Sequence, residues 1–381
     1  GSLSVGLLDE NGEIRDDTRG RLTLFGDSNP TWRGTTSVVE GSTLTTLNPE
    51  RISNSSSLVV DGTLSLGGNE TIANLAGTGT IVNNGNDLTV TQTSNQEFAG
   101  NITGAGGLTK QGEAGLTLTN GSDFTGDANI NAGILTVSGA LATNTINVAN
   151  GATLTTTASD LLSDGATLTN DGTLNLGGND TLTNLFGSDT GVVNLAGNNL
   201  LLLGGVDFQG RINGDGGTVS TGPGDIILGG DNTFTGDLTV LSGSTTTLTG
   251  SADGNVTIAA GGELTLGSAE RIADTATLTI VTGDGADPSS ILNLLGTERV
   301  TTLQSGGIIR GPGLVNAETY NLTDGAITEE GADLGNGILN SDGSVLLGGD
   351  SFAGTVNVRS GTMTLNGSVI HEPSLTVNVN Q

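Results

Sequence analysis

The chain has 381 residues, of which 65 are glycine and none is cysteine, and its formal net charge is −29. Glycine is more than twice as frequent as the roughly 7% of ordinary globular domains, and an aromatic content of 2% leaves a core of aliphatic residues. Forty acidic residues against eleven basic ones argue against a nucleic-acid or anionic-membrane partner, because both require clustered Lys and Arg. No apolar run of about 18 residues is present, so the sequence contains no candidate transmembrane helix.

Residues 1–34 have the highest charge density, and we interpret them as an N-terminal cap or linker. Seven charged residues of this segment are Glu10, Glu13, Arg15, Asp16, Asp17, Arg19 and Arg21. The segment also holds Pro30 and the single Trp32. Charge and proline keep the exposed end of a repeat stack from pairing with other strands. The alternation in Leu22-Thr23-Leu24 indicates a strand, which favours the cap over a disordered linker.

The sequence repeats on a long period after this segment. Residues 98–127 align without gaps with residues 208–237, and residues 61–68 align with residues 171–178, both at a shift of 110. No Pro-rich or charged linker separates the copies. The sequence therefore predicts β-helix modules at residues 35–124, 125–234 and 235–352, followed by the start of a further module at residues 353–381.

The stretch from Gly106 to Ala140, GGLTKQGEAGLTLTNGSDFTGDANINAGILTVSGA, shows the local pattern most clearly. Pairs of aliphatic residues flank single polar residues, as a strand with one buried face requires. The pairs are Leu116/Leu118, Ala128/Ile130 and Leu135/Val137. Gly and Asn between the strands adopt positive φ at little steric cost and allow frequent turns. Strands this short cannot close a core alone, so each coil needs a copy above and below it.

A shorter period runs inside the modules. Aliphatic positions recur at nearly equal spacing, at Leu116, Leu135, Leu154, Leu174, Val193 and Ile212. A period near 20 with glycine turns indicates a parallel β-helix, in which adjacent coils lie about 4.8 Å apart. Parallel crossover connections are nearly always right-handed. The predicted fold is all-β: a right-handed parallel β-helix, or β-solenoid, that forms a single elongated rod.

Every phenylalanine is followed by glycine at the first or second position. Five of them begin a Phe-x-Gly triplet, at Phe98, Phe124, Phe208, Phe234 and Phe352. Phe25 and Phe186 are followed directly by glycine. We interpret these rings as fillers of corners where glycine lets the backbone pass closely, rather than as a site for ligand stacking.

The stretch from Gly106 to Ala140 resembles the passenger-associated repeat of autotransporters. The pattern of that repeat is Gly-Gly-Leu-x-Lys-x-Gly-x-Gly-x-Leu-x-Leu, then a polar turn, aromatic-Thr-Gly and Asn-x-Gly-x-Leu. The matching residues are Gly106, Gly107, Leu108, Lys110, Gly112, Leu116, Leu118, Phe124, Thr125, Gly126, Asn131, Gly133 and Leu135. Ala114 stands where a glycine is usual, and weaker copies at residues 216–243 and 348–361 lack the lysine. The resemblance implies a secreted or surface-displayed right-handed β-helix of Gram-negative bacteria, exported through an outer-membrane barrel.

Parallel β-helices also include enzymes that cut acidic polysaccharides with carboxylates and a nearby Arg or Lys. Such a site needs several residue types on one patch, whereas the single Lys110, Tyr320 and His371 are scattered along the sequence. Acidic residues beside Gly, Asn or Ser are interpreted as turn formers. Those singled out are Asp160, Asp164, Asp171, Asp180 and Asp189. The sequence therefore predicts no enzyme and no catalytic residues.

The turns do not predict a metal site either. The Gly-Gly-x-Gly-x-Asp nonapeptide of calcium-binding repeats does not recur. The loops at residues 284–287 and 213–216 hold at most two carboxylates each, too few for the six or more oxygen ligands of calcium. Thr strings at residues 89–93 and 245–247 are too irregular between coils for an ice-binding array, and Thr is a favoured residue of exposed strands. We predict no metal and no cofactor.

The sequence as a whole predicts a non-enzymatic structural passenger or stalk of a secreted or surface-displayed autotransporter-like adhesin, which spaces or presents a binding region. The alternatives are a polysaccharide-processing enzyme on a β-helix and an acidic surface-layer protein. The expected partners are an extracellular protein or glycan receptor and the translocator barrel of the parent chain, with no nucleic acid and no direct membrane insertion. The expected location is outside the cell or at its surface, anchored in the outer membrane through a separate C-terminal domain. A groove with convergent carboxylates and an arginine would favour the enzyme.

Overall fold

The structure is a computed structural model that describes residues 2–5, 20–26, 30, 33–283, 289–350, 355–367 and 376–379. Two compact units make up the chain. Unit 1 comprises Gly1–Leu182 and Thr190–Val192, and unit 2 comprises Thr183–Asp189 and Val193–Gln381. All regular secondary structure of the described residues is β-strand, with no helix among them.

The strands are numbered in chain order. The first 23 are β1 Leu3–Val5, β2 Arg21–Leu24, β3 Thr36–Val38, β4 Thr43–Thr46, β5 Ser57–Val60, β6 Thr63–Ser65, β7 Glu70–Ile72, β8 Asn74–Ala76, β9 Thr80–Val82, β10 Leu88–Thr91, β11 Gln96–Phe98, β12 Asn101–Gly104, β13 Leu108–Gln111, β14 Leu116–Leu118, β15 Asp123–Phe124, β16 Ala128–Ile130, β17 Ile134–Val137, β18 Thr145–Val148, β19 Thr153–Thr156, β20 Thr167–Asn170, β21 Thr173–Asn175, β22 Asp180–Leu182 and β23 Asn184–Gly187. The others are β24 Val192–Asn194, β25 Asn199–Leu202, β26 Val206–Phe208, β27 Arg211–Gly214, β28 Thr218–Thr221, β29 Gly224–Leu228, β30 Asp231–Phe234, β31 Leu238–Val240, β32 Ser244–Leu248, β33 Ser251–Ala252, β34 Val256–Ile258, β35 Glu263–Leu266, β36 Thr277–Ile280, β37 Ile291–Leu294, β38 Thr297–Ser305, β39 Ile308–Arg310, β40 Leu314–Leu322, β41 Ile327–Thr328, β42 Asp333–Leu334, β43 Ile338–Leu347, β44 Thr355–Leu365 and β45 Thr376–Val379.

Each unit is a parallel β-solenoid, and the two together contain about 17 turns. In unit 1, Leu116 pairs in register with Leu135, which pairs with Leu154, which pairs with Leu174. All four side chains are buried. The ladder is the one that the short sequence period predicts, so the all-β parallel solenoid prediction is confirmed.

Unit 2 contains a longer ladder of the same kind. It passes in register through Val219, Leu238, Val256, Leu278, Leu303, Tyr320, Leu339 and Val356. The largest sequence separation between paired residues of this ladder is the one from Leu278 to Leu303. The next separation, from Leu303 to Tyr320, is one of the two smallest. The turns therefore differ in length while the strands keep their register. This difference explains why the short sequence period disappears after Ile212 although the coils continue to stack.

Inward and outward residues alternate along the short strands. In Leu116–Leu118 and Ala128–Ile130 the outer two residues are buried and the middle one is partly exposed. Leu135 and Val137 are buried in the same way. A fully buried aliphatic side chain stabilises the fold by about 2 kcal/mol, and here each one packs between equivalent positions of neighbouring coils. The three predicted aliphatic pairs are thus confirmed as core residues.

Four of the phenylalanines fill the predicted corners. Phe98, Phe124, Phe208 and Phe234 are completely buried. A Cβ atom added to Gly100, Gly126 or Gly236 would lie 2.0, 2.4 or 2.3 Å from a backbone atom of the preceding coil, which explains the glycine of the Phe-x-Gly triplet.

Two other phenylalanines differ from this prediction. Phe25 is 77% exposed and Phe186 is 37% exposed. Phe186 follows the buried Leu185 in its strand and takes the outward position of the alternation. Phe352 lies outside the described residues.

The N-terminal segment is described only in part. Leu3–Val5 pairs with Thr36–Val38, and Arg21–Leu24 pairs with Thr43–Thr46. The strand predicted from Leu22-Thr23-Leu24 is therefore present. The charged residues at positions 10–19 and Trp32 lie outside the described residues, so the cap at residues 1–34 stays a prediction, as do the module boundaries.

Substituting one inward leucine tests the stacking. Leu135→Asp places a carboxyl group between Leu116 and Leu154, which costs several kcal/mol even after the group takes up a proton. Each coil contacts mainly its neighbours, so we expect hydrogen exchange to show lost protection across residues 116–154 and retained protection across residues 303–339. Thr136→Asp, on the outward side, is the matched control and should leave both regions protected. Loss of protection along the whole chain would instead indicate one cooperative globular core.

Candidate functional site

Lys110 is the one lysine of the sequence, and its side chain points into the coil. It lies on the strand Leu108–Gln111 and pairs in register with Val90 and Ile130. Its side chain is fully buried. The amine Nζ donates to the carbonyl oxygens of Gln111 at 3.0 Å, Gly112 at 2.7 Å and Ala132 at 2.9 Å. Three donors of an ammonium group thus meet three acceptors, and the last acceptor belongs to the turn of the next coil.

This position changes the chemistry of Lys110. Burial lowers the pKa of Lys110 from 10.5 to about 8, and the negative charge of Glu113 acts in the opposite direction. Because the amine is enclosed and hydrogen-bonded to the backbone, it is unable to contact a substrate. Lys110 therefore ties two turns together through its hydrogen bonds.

Tyr320 was also considered for catalysis. Tyr320 lies in unit 2, where its side chain is fully buried. Its hydroxyl accepts from N–H of Ala317 at 2.8 Å and donates to the carbonyl of Val315 at 3.0 Å. Burial raises the pKa of Tyr320 to about 12, so the phenol stays neutral. His371 lies outside the described residues.

A buried carboxylate that the sequence reasoning missed lies in unit 1. Glu70 begins the strand Glu70–Ile72 and is 1% exposed. Its Oε1 accepts from the backbone N–H of Arg51 at 2.8 Å, and its Oε2 accepts from that of Ile52 at 2.9 Å. The two successive N–H groups form a small concave site for the carboxylate. Glu70 therefore connects its own strand to the turn of the preceding coil.

Glu298 repeats the arrangement in unit 2. It is 1% exposed, and its Oε2 and Oε1 accept from the backbone N–H groups of Arg271 and Ile272, both at 2.8 Å. The sequence separation between donor and acceptor is 26 for Ile272 and Glu298, compared with 18 for Ile52 and Glu70. The longer turn of this coil leaves the contact unchanged.

Asp180 lies between Glu70 and Glu298 in the sequence, at the position of the repeat that is equivalent to Glu70. It aligns with Glu70 at the module shift of 110, is 2% exposed and accepts hydrogen bonds from the backbone of Thr181 and Leu162. The sequence analysis interpreted Asp180 as a turn former, and that interpretation is wrong, because Asp180 begins the strand Asp180–Leu182 with its side chain inward.

The turn that donates the N–H groups has the same backbone in each case. Glu50, Asp160 and Glu270 have positive φ, at 54°, 53° and 53°. They align with one another at the module shift of 110 and directly precede Arg51, Leu161 and Arg271. A left-handed residue before two N–H groups aims both donors at one acceptor. We call Glu70, Asp180 and Glu298, with these turns, the carboxylate clamps. Asp180 differs from the other two because only one of its donors, Leu162, belongs to the turn and the other, Thr181, belongs to its own strand.

Burial dominates the acidity of the clamps. It raises the pKa of Glu70, Asp180 and Glu298 to about 7 each, and the backbone hydrogen bonds offset part of the increase. Acidic neighbours raise these pKa values further, and they are Glu50 for Glu70, Asp160 and Asp164 for Asp180, and Glu270 for Glu298.

A signal for the clamps is present in the sequence. An acid stands two positions before an aliphatic residue in Glu-Thr-Ile at residues 70–72, Asp-Thr-Leu at 180–182 and Glu-Arg-Val at 298–300. In a strand, residues i and i+2 share a face. An acid on the same face as a core residue, repeated once per module, identifies a buried carboxyl group.

An arginine and a carboxylate also meet on a partly exposed face of unit 2. Arg310 donates to Oε1 of Glu263 at 2.9 Å and to Oδ1 of Asn293 at 2.5 Å. Asn293 in turn donates to Oε1 of Glu263 at 2.7 Å. The three residues lie on three successive coils. Their polar groups satisfy one another across the stack, which is the behaviour of a structural ladder rather than of a substrate site.

A cleft of about 530 Å³ opens in unit 2 near Glu329, Glu330 and Asp350. Its lining within the described residues contains no Arg, Lys or His. No group of three His, Cys, Asp or Glu residues in the described part of the chain has the arrangement to hold a metal ion. The loop at residues 284–287, considered for calcium, lies outside the described residues. Nor do the described residues include a helix of sufficient length and apolar character to span a membrane.

The buried amine predicts an alkaline pH dependence. The folded pKa of Lys110 is about 8 and the ordinary value is 10.5, so the folded chain binds fewer protons than the unfolded chain between these values. Stability linked to Lys110 therefore rises with pH from about 8 to 10.5. We expect the denaturation midpoint of the native chain, relative to Lys110→Met, to increase over this range. A difference that stays constant with pH would contradict this assignment.

Metal chelation gives a second test. Because the described turns show no cage of carboxylates, we expect EDTA to leave the melting temperature unchanged. A matched sample with added calcium should melt at the same temperature. A fall of many degrees in EDTA that calcium alone restores would reveal a structural calcium site and support the surface-layer alternative.

Comparison with known proteins agrees with the fold. The passenger-associated-transport-repeat family matches residues 108–137 and 219–245, the second of which overlaps the weaker copy predicted at residues 216–243. A relative named Adhesin BmaC autotransporter, from Brucella suis biovar 1 (strain 1330), is 26% identical over 322 residues. That similarity covers 82% of this chain and 8% of the adhesin, so the chain spans a small part of the relative's length. No solved structure matches the chain.

Both findings concern the same family. The repeat family matches the stretch on which the resemblance was based, and the relative that matches most of the chain is named an autotransporter. The resemblance recognised from the sequence is therefore confirmed: two segments match the passenger-associated-transport repeat, and most of the chain is similar to an autotransporter adhesin.

Proposed function

We propose that this chain is a non-enzymatic stalk segment of an autotransporter-like adhesin, which spaces or presents a binding region away from the cell. The observation that carries the proposal is the in-register stacking of the coils, in the four-residue ladder of unit 1 and the eight-residue ladder of unit 2. In such a stack each added coil lengthens the structure by about 4.8 Å without a new fold. A spacer needs this property.

The burial of the chemically reactive side chains supports a structural role. Lys110, Tyr320 and the clamp carboxyls are buried and bonded to the backbone. A catalytic acid or base must instead reach the substrate. We therefore propose no enzymatic activity for the chain.

The outward positions also suit a stalk. On one face of unit 1, Thr117 pairs with Thr136, Thr136 with Thr155, and Thr155 with Asn175. Asn175 donates to the hydroxyl of Thr155 at 3.3 Å. Uncharged side chains of moderate size cover the strand face and bond along the stack, and this keeps the surface solvated without an aggregating apolar patch.

The parent protein and the receptor belong to the proposal. The relative is named an adhesin, and we propose that this chain likewise serves adhesion to an extracellular protein or glycan. We also propose display outside the cell or at its surface, with a translocator domain in the parent protein that anchors it in the outer membrane.

Solution scattering tests the stalk. The gapless alignment of one module with the next, with no intervening linker, predicts one elongated particle. One continuous stack of about 17 turns at ~4.8 Å per turn would be about 80 Å long. We expect small-angle scattering to give an asymmetric distance distribution with a maximum near or above this length. A compact, nearly isotropic particle would exclude a spacer.

Deletion of one module tests whether the maximum dimension of the particle depends on the number of modules. Deletion of residues 125–234 joins Phe124 to Thr235, the equivalent of Thr125 in the repeat. The shortened chain should stay folded, with a maximum dimension reduced by about 25 Å for five or six coils. Deletion of residues 125–225 is the control, because it joins positions that are not equivalent and should lower the melting temperature. Equal loss of folding in both variants would contradict the module boundaries.

A further inference from the structure

The three carboxylate clamps share a buried carboxyl group and a preceding turn whose left-handed residue recurs at the module shift of 110. We propose that Glu70, Asp180 and Glu298 form a proton-operated device that tightens the contact between adjacent coils at acidic pH and loosens it at alkaline pH. Glu70 and Glu298 each accept two backbone N–H groups from the turn of the coil before, whereas Asp180 accepts one from Leu162 of that turn and one from Thr181 of its own strand. The charge state of each carboxyl group therefore acts directly on the coil-to-coil contact.

The surroundings of the clamps contain few positive charges to compensate an ionised carboxylate. The groups around Glu70 are Glu50, Arg51 and Asp87, those around Asp180 are Asp160 and Asp164, and those around Glu298 are Glu270, Arg271, Arg299 and Asp274. The guanidinium of Arg51 donates to the carbonyl of Pro49 at 2.9 Å. The guanidinium of Arg271 donates likewise to the carbonyl of Ala269 at 2.9 Å and to that of Thr249 at 3.1 Å. Acids outnumber bases around each of Glu70 and Asp180.

Protonation therefore removes an unfavourable charge from the interior of the stack. An ionised carboxylate keeps its backbone hydrogen bonds but places a desolvated charge next to other acids. A neutral carboxyl group removes the charge and still accepts an N–H hydrogen bond. Around Glu298 the positive charge of Arg271 lowers the pKa, but burial and Glu270 act against it. Burial thus opposes ionisation of the clamp carboxyl groups in both units.

The sign of the pH dependence follows from the pKa values. Burial raises the pKa of each clamp to about 7, from 4.5 for Glu and 3.8 for Asp. The folded chain then binds more protons than the unfolded chain between these limits, so stability falls as pH rises. The stabilisation is complete below the unfolded pKa and is lost as pH passes through about 7. Unit 1 contains two of these groups and unit 2 contains one.

Equilibrium unfolding at pH 5 and pH 8 tests whether the clamps make the stability of the chain depend on pH. For the native chain we expect the unfolding constant to increase on the order of 70-fold per clamp between these pH values. The triple variant Glu70→Gln, Asp180→Asn and Glu298→Gln removes the titrating groups and should lose this increase. A matched triple variant at exposed acids, Glu97→Gln, Asp127→Asn and Glu318→Gln, should keep it. Equal pH dependence of the native chain and the clamp variant would overturn the proposal.

A second measurement applies if the clamp variant fails to fold. Infrared spectroscopy of the folded native chain detects the carbonyl band of protonated carboxyl groups directly. The proposal requires a part of this band, equivalent to three groups, to persist at pH 6 and to disappear between pH 6 and 8. Loss of the whole band below pH 5 would show that the clamps are ionised throughout and would overturn the proposal. Neither result depends on the stalk function or on a receptor.

Discussion

The parallel in-register pairing of successive coils is the constraint on which the rest of the structure depends. Each inward residue lies above and below the equivalent residues of its neighbours, as Leu135 does between Leu116 and Leu154. Because the inward side chains of each unit are enclosed by neighbouring coils, a polar side chain among them must find its hydrogen-bond partners in the backbone or side chains of those coils. Lys110, Glu70 and Glu298 use the backbone.

Lys110 and the carboxylate clamps form backbone hydrogen bonds of opposite direction: the amine donates and the carboxylates accept. The amine uses carbonyl oxygens at the end of a strand, where the chain turns, and the carboxylates use N–H groups of a turn with a left-handed residue. Both take a partner from an adjacent coil, so each charge links two coils. An ion pair in the same place would bury two charges instead of one and would carry the desolvation cost of both. Because this amine and these carboxylates are hydrogen-bonded to the backbone, they contribute to the contacts between coils.

The sequence predicted those features that depend on strand alternation. Leu116, Leu135, Leu154 and Leu174 were identified because equal turns preserve their spacing. The ladder from Val219 to Val356 was not identified, because turns of unequal length change the spacing while hydrogen bonding keeps the register. Asp180 was assigned to a turn because acids beside Gly, Asn or Ser usually form turns, a tendency that ignores which face of a strand the residue occupies. Glu70 and Glu298 were not recognised as buried for the same reason. Phe186 was predicted to fill a corner of the core, but its ring takes an outward position.

The two kinds of buried charge act on unit 1 at different pH values and with opposite signs. The clamps Glu70 and Asp180 lose their contribution as pH rises to about 7, whereas the contribution of Lys110 increases only above about 8. Between these values the carboxylates are ionised and the amine is still charged, so the interior holds its greatest number of desolvated charges. The electrostatic stability of unit 1 is therefore lowest near pH 7 to 8. Because each charge links adjacent coils, this minimum falls at particular coil contacts, while the aliphatic ladder between them is insensitive to pH.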